Sequence, residues 1–266
     1  MSSRYLWRLL PACAGIALMT ACSSPEPDIP DQPAEQLYNS AMDAMEANQP
    51  KKAAGLFDEV ERQHPYSQWA TQAQIMSAYA HYSVDEYDDA IPALDSFIEL
   101  HPGNRSAAYA YYLRALCYYE QIADVKRDQG NTEQALRALS DVVARFPNTD
   151  YARDAALKLD LVRDHLAGKE MEIGRYYLTR DQFLAAINRF RTVVEKYQTT
   201  THVPEALERL VEAYLSLGVN DEAQTAGAVL GYNYPGNQWY EDAYNLLKAK
   251  DLKPEKKEGS WLNSVF

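Results

Sequence analysis

The sequence predicts an all-α fold built from repeated helix hairpins, and three observations support this prediction. Apolar residues recur at helical spacing almost without interruption between residues 34 and 250. No glycine-rich turn separates two alternating apolar runs, so the pattern of a β-hairpin is missing. One spacing, Ala-x3-apolar-x7-Pro, returns several times along the chain. Repetition of this kind is typical of a stacked array of hairpins.

The repeated spacing locates the second helix of each hairpin. Proline ends such a helix because it has no N–H to donate, and the residue before that position always carries a ring. One copy has glycine in the middle place, and another has Gln198 where proline would stand. The copies are Ala53/Phe57/Pro65, Ala90/Leu94/Pro102, Ala135/Leu139/Pro147, Ala186/Phe190 and Ala223/Gly227/Pro235.

The first helices follow from the register of the 34-residue tetratricopeptide unit. In four copies, counting back from the repeat alanine places a small or slim residue at the eighth position of the unit. The third copy contains extra residues, and it fits when the unit is counted forward from Pro102. These residues are Ala41, Ala78, Ala115, Gly174 and Val211. We therefore predict a tetratricopeptide-repeat superhelix of five helix-hairpin units over 34–250, with an extended concave surface that suits peptides or proteins.

Two segments interrupt the predicted array. Extra residues follow the third unit in a helical pattern that assigns Leu157, Leu161 and Leu166 to one face. Because a single glycine costs a helix only about 1 kcal/mol, we expect one long helix over about 151–179. Within the third unit, we expect a loop at residues 123–131, where a charged excursion extends the first helix.

The C-terminal end of the array has its own pattern. Residues Gln238 to Lys250 predict a capping helix. The charged tail that follows ends in four apolar residues, and an exposed cluster of that kind suits docking to a partner. They are Trp261, Leu262, Val265 and Phe266. A frayed tail is an equally good interpretation of the same residues.

The N-terminus has the pattern of an export segment. Arg4 and Arg8 precede an apolar run that ends at Ala21, and this run is shorter than the roughly 20 residues that span a bilayer. Cys22 follows it directly, and a mobile tether rich in proline and acidic residues follows the cysteine. Only Cys117 remains in the body of the chain, so an intramolecular disulfide framework is excluded there.

The residues around Cys22 resemble the lipobox of bacterial lipoproteins. Met19-Thr20-Ala21-Cys22 places small residues before a cysteine that, in those proteins, is acylated and becomes the new N-terminus. Several acyl chains on one residue anchor stably. Ser23 is not the aspartate that favours retention in the inner membrane, so the resemblance implies the periplasmic face of the outer membrane. The alternative is an ordinary secretory peptide cut after Ala21.

Composition and motifs indicate a protein without catalytic chemistry. The chain has 26 Lys plus Arg against 38 Asp plus Glu, and a net charge of −12 disfavours a nucleic-acid partner. The sequence contains no P-loop, G-x-S-x-G, H-E-x-x-H or C-x-x-C motif. His64, His81 and His101 occupy repeat positions that elsewhere hold Phe or Tyr, and Cys117 is best explained as a small buried hydrophobe. We expect no enzyme activity, no metal and no cofactor apart from the lipid on Cys22.

Tyrosine is the candidate binding residue, since 20 are present and they concentrate in first helices. Six of them fall at positions of the unit that face the concavity in tetratricopeptide arrays. They are Tyr38, Tyr79, Tyr82, Tyr109, Tyr112 and Tyr119. Tyr offers a large contact area with a polar tip at low entropic cost, so we predict a groove for a peptide with aromatic residues. The alternative is that several of these rings only fill space between repeats.

The chain as a whole resembles the BamD family, the tetratricopeptide lipoproteins of the outer-membrane β-barrel assembly machine. The resemblance covers about residues 20–250 and includes the lipobox, the five units and the excursion. It is strongest in "ERQHPYSQWATQAQIMSAYAHY" (61–82), "YYLRALCYYEQIADVKRDQ" (111–129), "LAGKEMEIGRYYLTR" (166–180) and "AAINRFRTVVEKY" (185–197).

The resemblance implies partners and site residues. A member of this family would bind the aromatic-ended targeting segments of unfolded outer-membrane proteins through its N-terminal units. It would dock on the BamA-type barrel protein, beside other assembly-machine lipoproteins, through its C-terminal half. The family arginine in the stretch A-x-x-N-R corresponds to Arg189, after Asn188, and the segment D-x-x-R-D corresponds to Asp124 to Asp128.

These predictions give the chain a definite organisation. It comprises a signal peptide at 1–21, a tether at 22–33, client-binding units at 34–147, partner-docking units with the capping helix at 148–250 and a tail at 251–266. A different periplasmic tetratricopeptide lipoprotein, such as an adaptor or a pilotin of a secretion or envelope complex, would share the lipobox and the repeats and is the alternative.

Overall fold

A computed structural model describes residues 29–266. The regular secondary structure of these residues is helical, and they contain no strand. Residues 33–266 form one compact unit. The helices are α1 (Ala34–Glu46), α2 (Pro50–Gln63), α3 (Gln68–Tyr82), α4 (Tyr87–Leu100), α5 (Ala107–Glu120), α6 (Gly130–Arg145), α7 (Asp150–Leu178), α8 (Phe183–Lys196), α9 (Val203–Leu217), α10 (Asn220–Asn233), α11 (Gln238–Lys248) and a short 3-10 helix (Trp261–Ser264). The predicted signal peptide, Cys22 and most of the tether lie outside the described residues.

Consecutive helices pack against each other from α1 to α10, and α11 packs on both α9 and α10. The pairs α1–α2, α3–α4, α5–α6, α7–α8 and α9–α10 are the five predicted hairpins, and α11 is the predicted cap. The tetratricopeptide-type array of five helix-hairpin units is therefore confirmed.

Small residues let the two helices of each hairpin approach closely. The five repeat alanines are fully buried, as are the small residues at the eighth position of the first three units. At Gly174 in α7, an added Cβ would overlap the ring of Phe190 in α8, and that ring is itself fully buried. The repeated spacing thus encodes the contact between paired helices, as the sequence predicts.

The ring residue at the end of each repeat lies where the second helix ends. The backbone N–H of His64 still donates to the Val60 carbonyl at 3.0 Å, but its ψ of 56° is no longer helical. Proline disfavours helical geometry in the residue before it. Proline follows the ring at four of the five sites, and Tyr197 has the same backbone geometry although Gln198 follows it. The five sites are His64, His101, Phe146, Tyr197 and Tyr234. The ring centroid of His101 lies 5.2 Å from that of Phe97, which agrees with the packing role predicted for this histidine.

The predicted long helix is confirmed, although its buried face was assigned wrongly. Thr149 caps α7 by accepting a hydrogen bond from the Ala152 N–H at 3.2 Å. Leu157 and Leu161 are 69% and 61% exposed. The buried stripe advances by three or four residues at a time, as a helix of 3.6 residues per turn requires. It consists of Ala152, Ala155, Leu159, Val162 and Leu166.

The charged excursion of the third unit is a loop, as predicted, although it adds no turn to the first helix of that unit. Helix α5 ends at Glu120, and the segment 121–129 is a loop before α6. Asp124 and Asp128 stabilise the loop by accepting hydrogen bonds from the backbone N–H groups of Lys126 and Gly130, both at 2.9 Å. Short polar side chains that bond to the backbone two residues ahead compete with helix formation.

The C-terminal tail is neither an exposed cluster nor frayed, so both interpretations were wrong. It runs back along α10, where the Glu255 N–H donates to the Gln224 carbonyl at 3.1 Å. Leu262 is fully buried, and the indole N–H of Trp261 donates to the Tyr214 hydroxyl at 3.0 Å. The tail therefore belongs to the core of the last unit.

Candidate partner-binding surfaces

Tyrosine side chains from three helices meet on the second and third units. Tyr79 and Tyr82 come from α3, and Tyr109 and Tyr112 come from α5. Tyr151, in the first turn of α7, lies with its ring centroid 5.7 Å from Tyr109 and 5.3 Å from Tyr112. We call these five residues, together with Tyr119 of α5, the tyrosine surface.

The rings of the tyrosine surface are partly buried yet open to solvent. Tyr79 is 37% exposed, and the other members are intermediate in burial. Burial raises the pKa of Tyr109, and the nearby Tyr79, Tyr151 and Tyr82 raise it further. Four tyrosines from α3, α5 and α7 therefore lie close together, and three of them were predicted to share one surface.

Tyr151 was missed by the sequence analysis. It lies in the insertion after the third unit, outside the repeat register, so no position number marked it. The signal that could have revealed it is an aromatic residue in the first helical turn, two residues after the N-cap Thr149, where the new helix must return to the preceding hairpin.

Tyr38 does not belong to this surface, which corrects the prediction. It is 8% exposed, and its ring centroid lies 5.4 Å from that of Phe57 and 5.0 Å from that of Trp69. Trp69 comes from α3 of the next unit and covers the ring. Tyr38 therefore fills space between repeats, which is the alternative that the sequence left open.

A polar chain crosses one side of the tyrosine surface. The Tyr112 hydroxyl donates to Asp154 at 2.5 Å, and Lys158 forms an ion pair with the same carboxylate at 2.9 Å. The hydrogen bond from Tyr112 is the main cause of a lowered pKa of Asp154, with Lys158 adding to it. The Lys158 ammonium in turn lies 5.5 Å from the centroid of the Tyr119 ring. The surface thus combines apolar ring faces with fixed polar groups.

Arg189 lies on a second surface, at the contact between α7 and α8. Its guanidinium donates to Glu170 of α7 at 3.1 Å, and its side chain is 42% exposed. Asn188 is exposed beside it. One side of the guanidinium is therefore held by Glu170 while the remainder faces solvent.

The excursion loop lies at the same place. Lys126, Arg127 and Glu170 line one cleft of about 610 Å³. The Lys169 ammonium donates to the Arg127 carbonyl at 3.3 Å and ties the loop to α7. The two motifs that the family resemblance singled out, D-x-x-R-D and N-R, are 60 residues apart in sequence and are brought together around Glu170. We call Arg189, Asn188, Glu170 and the loop 124–128 the charged junction.

Other chemistry-bearing side chains are accounted for by packing or pairing. Cys117 is fully buried, and burial raises the pKa of its thiol to about 12, which suits a packed hydrophobe. Among the described residues, His81, Glu86 and Asp89 form the one group close enough to share a metal ion. Glu86 already pairs with Lys51 at 2.5 Å and with His81 at 3.0 Å. No described helix combines the length and the apolar character that crossing a membrane requires.

The family model and the similar sequences point to one family. The family model YfiO, described as an outer membrane lipoprotein, matches residues 30–230. A relative from Caulobacter vibrioides named outer membrane protein assembly factor BamD is 58% identical over 224 residues, which cover 84% of this chain and 73% of the relative. A relative of the same name from Rickettsia prowazekii is 47% identical over 245 residues, which cover 91% of this chain and 98% of the relative. A solved tetratricopeptide protein from Thermus thermophilus matches at 19% identity with a TM-score of 0.38, over 81% of this chain and 100% of that one.

Proposed function

The chain belongs to the BamD family of outer membrane protein assembly factors, and we propose that it is a non-enzymatic, lipid-anchored scaffold of the β-barrel assembly machine. In this role it binds the targeting segments of unfolded outer-membrane proteins and docks on a BamA-type barrel protein. The observation that carries the assembly role is the 58% identity over 84% of the chain. The tyrosine surface and the charged junction are separate surfaces of one array, which supports one site for clients and another for the barrel protein.

The tyrosine surface is our proposed client site. Aromatic rings provide contact area for aromatic residues of a peptide, and the hydroxyl groups and Asp154 provide hydrogen bonds for its backbone. Partial burial holds the rings in place before a client arrives, which lowers the entropic cost of binding. An extended segment with aromatic residues is the ligand that fits these properties.

Photo-crosslinking tests the client site. A benzoylphenylalanine at Tyr79 should capture C-terminal peptides of outer-membrane proteins. Tyr79 is the one member of the tyrosine surface that is exposed rather than intermediate in burial. Tyr66 is the matched control, since it lies in the nearby loop between α2 and α3 and is fully exposed. Labelling at Tyr66 as strong as at Tyr79 would mean that accessibility alone governs capture, and the client site would be wrong.

The charged junction is our proposed docking site for the BamA-type partner. Arg189 presents free donors on one side of its guanidinium, and the guanidinium is well suited to paired contacts with a carboxylate. The excursion loop adds further charges of both signs next to it. A partner surface that places a carboxylate opposite Arg189 would complete its hydrogen bonds.

A charge exchange tests the docking site, with co-purification of the barrel partner as the measurement. Arg189→Glu should weaken binding about tenfold, the size expected for one charge-assisted hydrogen bond. Adding Glu170→Arg restores the ion pair inside the chain but leaves the charge facing the partner reversed, so binding should stay weak. Arg163→Glu is the control, since Arg163 of α7 has a similar exposure and pairs only with nearby Asp160.

Recovery of binding in the double variant would contradict the proposal. It would mean that Arg189 acts by holding α8 against α7 rather than by contacting the partner.

A further inference from the structure

The last unit and the capping helix line an open, charged pocket that neither proposed surface uses. Glu208, Arg209 and Glu212 of α9 face Trp239 and Asp242 of α11 across a cavity of about 430 Å³. Leu246 adds an apolar wall. Residues of two different helices thus form one pocket with several carboxylates.

Glu208 is the unusual member of this pocket. It is only 3% exposed, and its Oε2 atom accepts no hydrogen bond from the part of the chain that the structure describes. The Arg209 Nε atom lies 3.4 Å away but does not donate to it, and that N–H is also without a hydrogen-bond acceptor. A buried carboxylate oxygen without a hydrogen bond is costly, typically by one to a few kcal/mol. The pocket therefore contains an acceptor with no donor.

The charges around Glu208 leave it without a full counterion. Arg209 donates its best hydrogen bond to Glu212, at 2.9 Å. It also lies 3.7 Å from Glu205, although Glu205 is already paired with Arg175 at 2.9 Å. The pKa of Glu208 is raised to about 7, mainly by burial; Arg209 opposes this rise, and the nearby Glu212 and Asp242 contribute to it. Three carboxylates line the pocket with one guanidinium, so an additional cation would balance them.

The spacing of the carboxylates favours a large organic cation over a metal ion. Within residues 29–266, the acidic groups that converge closely enough to share one ion are those beside His81, not those in this pocket. A guanidinium carries five N–H donors in a planar fork and can reach separated acceptors. Trp239 and Leu246 offer apolar contact to the carbon chain that carries it.

We propose that this pocket is a binding site for the guanidinium of an arginine side chain supplied by a partner protein. The arginine donates to Glu208 Oε2 and to Glu212 and Asp242, and its stem lies against Trp239 and Leu246. This inference uses no residue of the tyrosine surface or the charged junction, so it stands or falls independently of the proposed function.

Tryptophan NMR of the intact chain in detergent tests the site. The probe is a blocked pentapeptide with a central arginine between glycines, and the reference is the same peptide with neutral citrulline. The arginine peptide should shift the indole signal of Trp239, identified with Trp239→Phe, with a Kd on the order of 1 mM. The citrulline peptide should bind about tenfold more weakly or not at all.

Matched variants separate the pocket from general electrostatics. Glu208→Gln keeps the shape of the side chain and should weaken arginine binding about tenfold. Glu241→Gln makes the same charge change on the exposed side of α11 and should leave binding unchanged. Asp242→Asn serves as a second pocket variant if Glu208→Gln lowers the thermal midpoint. The absence of a Trp239 shift, equal binding of both peptides, or unchanged binding in both folded pocket variants would overturn the proposal.

Discussion

At the scale of single residues, paired helices can approach closely because the residues at their contact are small. Gly174 stands at the hairpin contact of the fourth unit, where the other units carry alanine or valine, because the large ring of Phe190 fills the space a methyl group would need. Small residue and large ring therefore form a matched pair across α7 and α8. Neither can change size alone without disturbing the other.

A glycine-to-alanine comparison tests this pairing. Gly174→Ala should lower the free energy of unfolding by about 1–3 kcal/mol, because overpacking outweighs the gain in helix propensity. Gly55→Ala in α2 should raise it by about 0.5–1 kcal/mol, since nothing lies within 4 Å of the new methyl group. Urea unfolding monitored by circular dichroism measures both. A stabilised Gly174→Ala would show that the Phe190 ring has room to move.

The repeat register predicted the positions of tyrosine side chains well within a unit. It predicted them less well where contacts with a neighbouring unit determine whether a side chain is exposed. The register placed Tyr79, Tyr82 and Tyr109 on one surface, because it fixes which way a helical residue points. It could not tell that Trp69 covers Tyr38, since covering depends on the next hairpin. It also could not locate Tyr151, which lies in an insertion.

At the scale of elements, the C-terminal tail is the clearest departure from the sequence analysis. Its apolar residues look exposed in sequence because no periodic pattern follows them, yet the groove along α10 accepts them. The Trp261 ring also lies under the guanidinium of Arg191, 4.3 Å from ring centroid to carbon. A segment with almost no secondary structure thus completes the last unit.

Two tail variants test its contribution to stability. Leu262→Ala should lower the free energy of unfolding by about 2–4 kcal/mol, because it leaves a cavity at a fully buried position. Phe266→Ala is the matched control, since the ring is 36% exposed, and it should cost less than about 1 kcal/mol. Thermal unfolding measures both. Equal, small effects would mean that the tail detaches in solution.

The apolar pattern predicted the length of helix α7 correctly but not which of its residues are buried. Its extent follows from unbroken helical spacing and from a single glycine that is too weak to end it. Its buried face was wrong because Leu161 and Leu166 are five residues apart, a rotation of about 140° beyond one turn. Alanines carry much of the true stripe, and a search for large apolar residues overlooks them.

At the scale of the whole molecule, the five hairpins and the cap were predicted almost completely. Each hairpin buries its apolar face against its neighbours, so the repeat pattern alone specifies the order of packing. A loop was predicted at 123–131 and lies at 121–129. The path of the tail was not predictable in this way, because a groove formed by other helices determines it.

The proposed anchor predicts where the molecule resides. Cys22→Ala should move the protein out of the outer-membrane fraction, because without acylation no lipid chains hold it there. Cys117→Ala is the control, since it removes a buried thiol and should leave fractionation unchanged. Immunoblotting of separated membranes measures both. An unchanged distribution of Cys22→Ala would favour the secretory-peptide alternative or retention through partners alone.

Helix α7 takes part in two cores, since Leu166 packs with the third unit and Ala167 with the fourth. Near its start, Asp154 holds Tyr112, and further along Glu170 holds Arg189. The two anchoring carboxylates are sixteen residues apart on one uninterrupted helix, which separates them by about 24 Å along its axis. No turn between them can absorb a rotation. If the two proposed sites are correct, a client bound beside Asp154 is held at a constant distance from a partner bound beside Glu170.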